Sequence, residues 1–176
     1  MRQILIPMLA LWSSLWGGMS FAERGPVARI GESGKFLELE HQVNGRLSKD
    51  SLPLYRADGV RYFSAGVGIE ERSAEYPPFS LKLVFTAGGK PFLAGVAVTI
   101  QSAKGGPLIN IPREHVNGPW LFVELPTGIY DLSVMHADRT QGLKGVRVEA
   151  GKMKTVHLRW PEEKGIAAAS GEAVGQ

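Results

Sequence analysis

The chain has 176 residues and a formal net charge of +3, and it contains no cysteine. Without a thiol the protein has no disulfide, thiolate metal site or cysteine nucleophile, so its stability depends on an apolar core. Basic residues are mixed with acidic ones along the sequence. A nucleic-acid-binding protein clusters them on one face, so nucleic acid is not a predicted partner.

The N-terminus has the three parts of a secretory signal peptide. A short basic start precedes the uncharged stretch ILIPMLALWSSLWGG, and Ser20 and Ala22 supply small residues before a cleavage site at Glu23. The apolar run is shorter than the roughly 20 residues that a membrane-spanning helix needs. We therefore expect residues 1–22 to be removed on export and the mature chain to be periplasmic, with no integral membrane span.

Residues 23–78 are predicted to be a largely irregular N-terminal segment. They are rich in glycine, proline and other turn residues, although KFLELEHQV alternates like an edge strand or a short helix. Residues 61–64 are a possible short strand. The stretch IEERSAE has acids in its first turn, where a helix dipole favours them, and two prolines follow it. We expect a short helix near residues 69–75, preceded by a flexible lead-in or by an insert that packs on the main domain.

From residue 79 to residue 160 the sequence alternates between apolar and polar residues. About seven short runs are separated by turn residues roughly every 8–12 positions, which is typical of an antiparallel sandwich. This alternation buries one face of each strand and leaves the other in water. Residues 79–160 are therefore predicted to form an all-β, antiparallel β-sandwich. Residues 161–176 are small, polar and glycine-rich, and are predicted to be a disordered tail.

The second half of this region carries the pattern of a known family. Residues 125–130 read LPTGIY, residues 146–151 read VRVEAG, and residues 156–158 read VHL. These residues resemble the carboxypeptidase regulatory-like domain, a transthyretin-like (prealbumin-like) sandwich with Greek-key, immunoglobulin-like topology. The stretch RYFSAGVGIEERSAEYPPFSLKLVF is similar to a group of small exported proteobacterial proteins with no assigned activity.

The resemblance implies a fold and a kind of role. In larger proteins this domain is an accessory beside a catalytic unit, and we expect no second unit in a chain of this length. A stand-alone binding or structural module is therefore implied, with no active residues to carry over. Pro126 and Gly128 suit a turn, and Tyr130 can bury its ring while its hydroxyl bonds to the backbone, as in a tyrosine corner.

Residues that support catalysis or metal binding are scattered. The histidines are His41, His115, His136 and His157, and none of them has H-x-H or H-x-x-x-H spacing. His157 is out of phase with its apolar neighbours and is predicted to be exposed. The sequence has no G-x-S-x-G nucleophile motif and no phosphate-binding loop. We expect no catalytic residues, no metal and no cofactor.

Two groups of residues form the candidate binding surface. The first is Glu70, Glu71 and Arg72 on the predicted helix, where a partner contact is favoured over a paired-carboxylate site. The second is Trp120 with Phe122, which alternate with the apolar residues of the same strand, so only one set faces the core of a two-layer sandwich. Either this aromatic pair is exposed and binds a sugar or a protein, or the strand is covered on both faces.

In the covered alternative, residues 61–63 or the predicted helix at 69–75 are the cover, and the aromatic pair is the docking surface for the N-terminal segment.

These features predict a non-enzymatic periplasmic module that binds another protein or an envelope component, with sheet edges open to strand addition. The alternative is a carbohydrate-binding module that uses exposed aromatic side chains. A third interpretation is a small transthyretin-like hydrolase, whose cluster of histidine, arginine and C-terminal polar residues is not found in this sequence. An exposed, flat Trp120 favours a glycan, whereas a buried Trp120 with an open apolar edge strand favours a protein partner.

Overall fold

The structure is a computed structural model that describes residues 25–88 and 93–161. Over these residues the chain is mostly β, with one short α-helix and one 3₁₀ turn. The predicted signal peptide at 1–22 lies outside the described residues, as does the predicted tail beyond Pro161. The helices found in the two described ranges are too short to span a membrane.

Twelve strands make up the described part of the chain. In order the elements are β1 (Val27–Ile30), β2 (Phe36–Val43), β3 (Arg46–Pro53), β4 (Tyr55–Ala57), β5 (Val60–Ala65), α1 (Ile69–Ser73), β6 (Leu81–Ala87), β7 (Ala97–Ser102), β8 (Ile109–Ile111), a 3₁₀ turn (Arg113–His115), β9 (Trp120–Val123), β10 (Gly128–His136), β11 (Arg139–Val148) and β12 (Lys154–Trp160).

The strands form three sheets. The N-terminal sheet has the order β1-β2-β3, the four-stranded sheet β11-β10-β7-β8 and the middle sheet β12-β6-β9-β5-β4. Neighbouring strands are antiparallel except β12, which runs parallel to β6. The prediction of an all-β, sandwich-like fold is confirmed.

The middle sheet is covered on both faces. On one side it packs against the four-stranded sheet around residues such as Leu83, Leu121 and Val98. On the other side Phe122 packs in a second core with Leu37, from the N-terminal sheet. The described chain therefore has three layers and two apolar cores, one more layer than a simple sandwich.

The sequence pattern is clearest where one face of a strand is buried. On β10, Tyr130, Leu132 and Val134 are buried while the residues between them are not. The Tyr130 hydroxyl donates a hydrogen bond of 2.8 Å to the Pro126 carbonyl oxygen. This confirms the expected bond from the tyrosine hydroxyl to the backbone, which fixes the turn before β10 to the strand.

The N-terminal segment differs from its prediction. Most of residues 25–65 form strands β1 to β5, and β4 and β5 belong to the middle sheet, so the prediction of an irregular segment is wrong here. Asn44 (φ 51°) and Gly45 (φ 75°) join β2 to β3, and Asp58 (φ 48°) and Gly59 (φ 79°) join β4 to β5. Left-handed Asn-Gly and Asp-Gly pairs make tight two-residue hairpin turns. They are strand connections rather than signs of irregular chain.

The predicted short helix is confirmed as α1, at Ile69–Ser73. The chain returns to extended backbone at Ala74 (φ −69°, ψ 144°). The two prolines that follow at 77 and 78 keep the chain out of a helix. The polypeptide then enters β6 at Leu81, in the centre of the sandwich.

Candidate functional site

A cleft of about 610 Å³ opens on the side of the middle sheet that carries the second core. Its walls come from the segment between α1 and β6, from β9 with the turn that follows it, and from the β11–β12 turn. We call it the Trp120 cleft, and its lining includes Tyr76, Phe79, Lys82, Trp120, Phe122 and Met153.

Strand register places the key side chains in rows across the sheet. On one side of β9, Phe122 pairs with Phe63 of β5, and on the other it pairs with Lys82 of β6. Trp120 is two residues away on the same face. Cross-strand partners project from the same face of a sheet, so these aromatic and lysine side chains lie together.

Phe122 is the centre of an aromatic cluster. Its ring stacks on Phe63 with centroids 4.6 Å apart and an interplanar angle of 1°. Tyr76 lies 4.9 Å from Phe122, and Phe79 lies 4.9 Å from Phe63. Phe122 is 2% exposed, so the alternative of an exposed aromatic pair is wrong for this residue. The strand is covered on both faces, but the predicted covers are wrong, because residues 61–63 belong to β5 beside β9 in the same sheet and α1 buries no residue. The cover is β2 of the N-terminal sheet, with Tyr76 and Phe79.

Trp120 is half-buried, but its ring is not an open platform. The Lys82 Nζ lies 3.4 Å from the ring centre. The backbone at Gly66 also lies against the ring, since a Cβ built there would be 3.0 Å from Trp120 Cδ2. A sugar that stacks on tryptophan needs a free ring face, and these contacts restrict it.

Lys82 carries the least compensated charge of the cleft. Burial lowers the pKa of its ammonium. No carboxylate within 25–88 or 93–161 pairs with it. Glu124 is held from outside the cleft by Arg61, with Nη2 2.7 Å from Oε1, and Glu149 is 2.9 Å from Lys152 Nζ. Both cleft carboxylates are therefore engaged elsewhere.

The residues Glu70, Glu71 and Arg72 are only partly a surface. Glu71 Oε2 accepts hydrogen bonds from the backbone N–H of Gly66 at 2.6 Å and of Val67 at 3.1 Å. Arg72 lines the cleft, while Glu70 stays at the start of α1. Glu71 thus holds the loop that lies against Trp120. The sequence did not predict this role, because Glu71 binds backbone N–H groups, which every residue except proline carries.

Replacing Glu71 by alanine is expected to loosen that loop. The two N–H groups lose a charged acceptor, which lowers the free energy of unfolding by about 1–2 kcal/mol. Because Gly66 lies against Trp120, we also expect a red shift of tryptophan fluorescence. Glu70→Ala is the matched control and should change stability by less than about 0.5 kcal/mol. Equal effects of the two variants in urea denaturation would contradict this role.

The Arg61–Glu124 pair gives the site a pH dependence. The hydrogen bond that Arg61 donates lowers the pKa of the Glu124 carboxyl in the folded protein. Because this pKa is lower in the folded than in the unfolded chain, the ion pair stabilises the fold at pH values above the ordinary glutamate pKa. That stabilisation is lost as the pH falls through the pKa of Glu124 in the folded protein. Both side chains are partly exposed, and screening keeps the effect small.

Glu124→Gln should therefore be less stable than the unmodified chain by about 0.5 kcal/mol near neutral pH. The gap should close at acid pH, where the native carboxyl is protonated. Urea denaturation at a series of pH values measures it, and a gap that is independent of pH would show that the charge of Glu124 does not matter.

The histidines lie on separate elements. His41 is 2.9 Å from Asp50 within the β2–β3 hairpin. His115 shares a hydrogen bond of 2.8 Å with the Tyr62 hydroxyl. His157 is exposed, as predicted. In the part of the chain that the structure describes, no group of three or more histidine, aspartate or glutamate side chains is placed to hold a metal ion.

Comparison of the chain with protein-family models, with curated proteins and with solved structures finds no match. The resemblance to the carboxypeptidase regulatory-like domain and to exported proteobacterial proteins therefore stays a prediction.

Proposed function

We propose that the chain is a non-enzymatic, prealbumin-like module of the periplasm that binds another protein through the Trp120 cleft. The observation that carries the proposal is the half-buried Lys82 ammonium, which lies over Trp120 and is paired with no carboxylate of the described residues. Burying a charge costs free energy unless a partner compensates it. A cleft that places an ammonium group beside apolar walls is suited to binding a partner that supplies both a negative charge and apolar surface.

A protein partner is favoured over a glycan by the surroundings of Trp120. Lys82 lies over one part of the ring and Gly66 against another. Phe122, the second residue of the aromatic pair, is inside the core. Phe122 therefore offers no open face to a sugar, and the contacts with Lys82 and Gly66 restrict Trp120, so the carbohydrate-binding alternative ranks second.

The cleft is also favoured over strand addition at a sheet edge. The edge strand β3 carries Lys49, Asp50 and Pro53, and the edge strand β11 carries Lys144 and Arg147. Charged residues and proline on an edge strand oppose pairing with another chain. These two edges are therefore poor templates, whereas the cleft offers both apolar surface and charge.

Site-specific photo-crosslinking in the native host tests the proposal. A photoreactive amino acid at Met153, which is in the cleft and 51% exposed, should give a discrete protein adduct identifiable by mass spectrometry. The control position is Leu47 near the β2–β3 turn, which is 65% exposed. Absence of a protein adduct at Met153, or the same adducts from both positions, would refute binding through the cleft.

A further inference from the structure

We infer that the Trp120 cleft binds an extended, acidic peptide segment of the partner, with a side-chain carboxylate paired to Lys82 and apolar neighbours against the cleft walls. The inference rests on the function proposed above and names the chemistry of the partner.

The charge of the cleft is complementary to an anionic group. Both carboxylates of its lining are bound to other cations, Glu124 to Arg61 and Glu149 to Lys152. Lys82 therefore adds a positive charge to the cleft that neither of them balances. A charge-complementary partner is steered to such a surface and held in register there.

Lys82 has hydrogen-bonding capacity to spare. An ammonium has three N–H donors. The contact with Trp120 uses the positive charge, at 3.4 Å from the ring centre, and the structure gives the Lys82 Nζ no hydrogen bond to any residue of the two described ranges. A carboxylate oxygen is the acceptor that forms the strongest bond with an ammonium.

The apolar side chains in the walls of the cleft favour a ligand larger than a small anion. Pro77, Pro78, Phe79 and Met153 line the cleft beside Lys82. A volume of about 610 Å³ is typical of sites that enclose a sizeable ligand. A free carboxylate would leave this apolar surface in water. An extended peptide covers it with neighbouring side chains while one acidic residue reaches Lys82.

The test uses synthetic heptapeptide mixtures added to the purified chain. The peptides have blocked termini and a fixed central residue, either glutamate or glutamine, with the other positions randomised. Backbone amide shifts in nuclear magnetic resonance spectra report binding. We expect the glutamate mixture to shift amides in 76–82, 120–127 and 149–153, and the glutamine mixture to need about tenfold more peptide, because a charged hydrogen bond is lost.

Variants assign the preference to Lys82. Lys82→Met keeps the chain length without the charge and should bind both mixtures equally. Lys82→Arg keeps the charge and should retain the preference for glutamate. Lys104→Met is the matched control, since Lys104 is exposed in the turn between β7 and β8. It should behave like the unmodified chain. Thermal unfolding of each variant shows whether it is folded.

The remaining outcomes overturn the inference in different ways. Equal binding of the two mixtures at the cleft, or a preference that survives Lys82→Met, removes the acidic requirement but leaves the proposed function standing. Acetate that gives the same shifts at the same concentration indicates a small-anion site. Shifts that depend on protein concentration alone indicate a second copy of the chain. No shift at the cleft, together with no protein adduct at Met153, refutes both proposals.

Discussion

Replacing Phe122 by alanine is expected to lower the free energy of unfolding by about 3–5 kcal/mol. The ring is buried and stacks on Phe63 at 4.6 Å, and Tyr76 lies 4.9 Å away. Removing it leaves a cavity where the middle sheet meets the N-terminal sheet. The Phe63 ring lies on β5, inside the middle sheet, and cannot collapse fully into that space, so both contact and transfer free energy are lost.

The neighbouring residue provides a matched comparison. Leu121 is buried on the opposite face of β9, in the core shared with the four-stranded sheet. Leu121→Ala should cost about 2–5 kcal/mol. Both variants therefore lower stability, but they weaken different cores. Only Phe122→Ala removes contacts that hold the N-terminal sheet in place.

Hydrogen exchange separates the two effects. With Phe122→Ala, amides of β1 to β3 should lose protection before those of β7 and β10, because regions with fewer buried contacts open locally. With Leu121→Ala, protection should fall in the four-stranded sheet as well. If both variants lose protection uniformly, the N-terminal sheet is not a separable layer and the two cores act as one cooperative unit.

The strands that could be predicted from the sequence are those with one buried face and one face toward solvent. On β10, Tyr130, Leu132 and Val134 are buried and the residues between them are less so. This alternation survives in the sequence because each position has one environment. The β3 strand, by contrast, is exposed along most of its length. Because β3 has no buried face, its sequence shows no alternation of apolar and polar residues. The Asn-Gly turn before it was the feature that could have indicated a strand there.

The candidate site could be predicted only in outline. The apolar run Trp120–Val123 is typical of a strand buried on both faces, and the covered alternative followed from it. The identity of the cover did not, because Leu37 comes from a distant hairpin. Lys82 was missed altogether. In FSLKLVF it is one polar residue in an alternating strand, and only cross-strand register places it beside Phe122.

Replacing Gly118 by alanine is expected to cost about 3 kcal/mol, at the upper end of the range for overpacking. Gly118 lies just before β9, against the end of β5. A Cβ there would lie 2.8 Å from the carbonyl carbon of Ala65 and closer still to its oxygen. Both are backbone atoms in a strand of the middle sheet, so they cannot rotate away as a side chain would.

The clash also disturbs a buried hydrogen bond. The N–H of Gly118 donates to Ser64 Oγ at 2.9 Å, and separating the strands leaves these polar groups without partners. Thermal unfolding should show a midpoint lower by about 6–12 °C for a loss of this size. Gly142→Ala is the control, because nothing lies within 4 Å of its Cβ position. If Gly118→Ala and Gly142→Ala unfold alike, β9 has room to move away from β5, and the close approach of the two strands does not fix the wall of the Trp120 cleft.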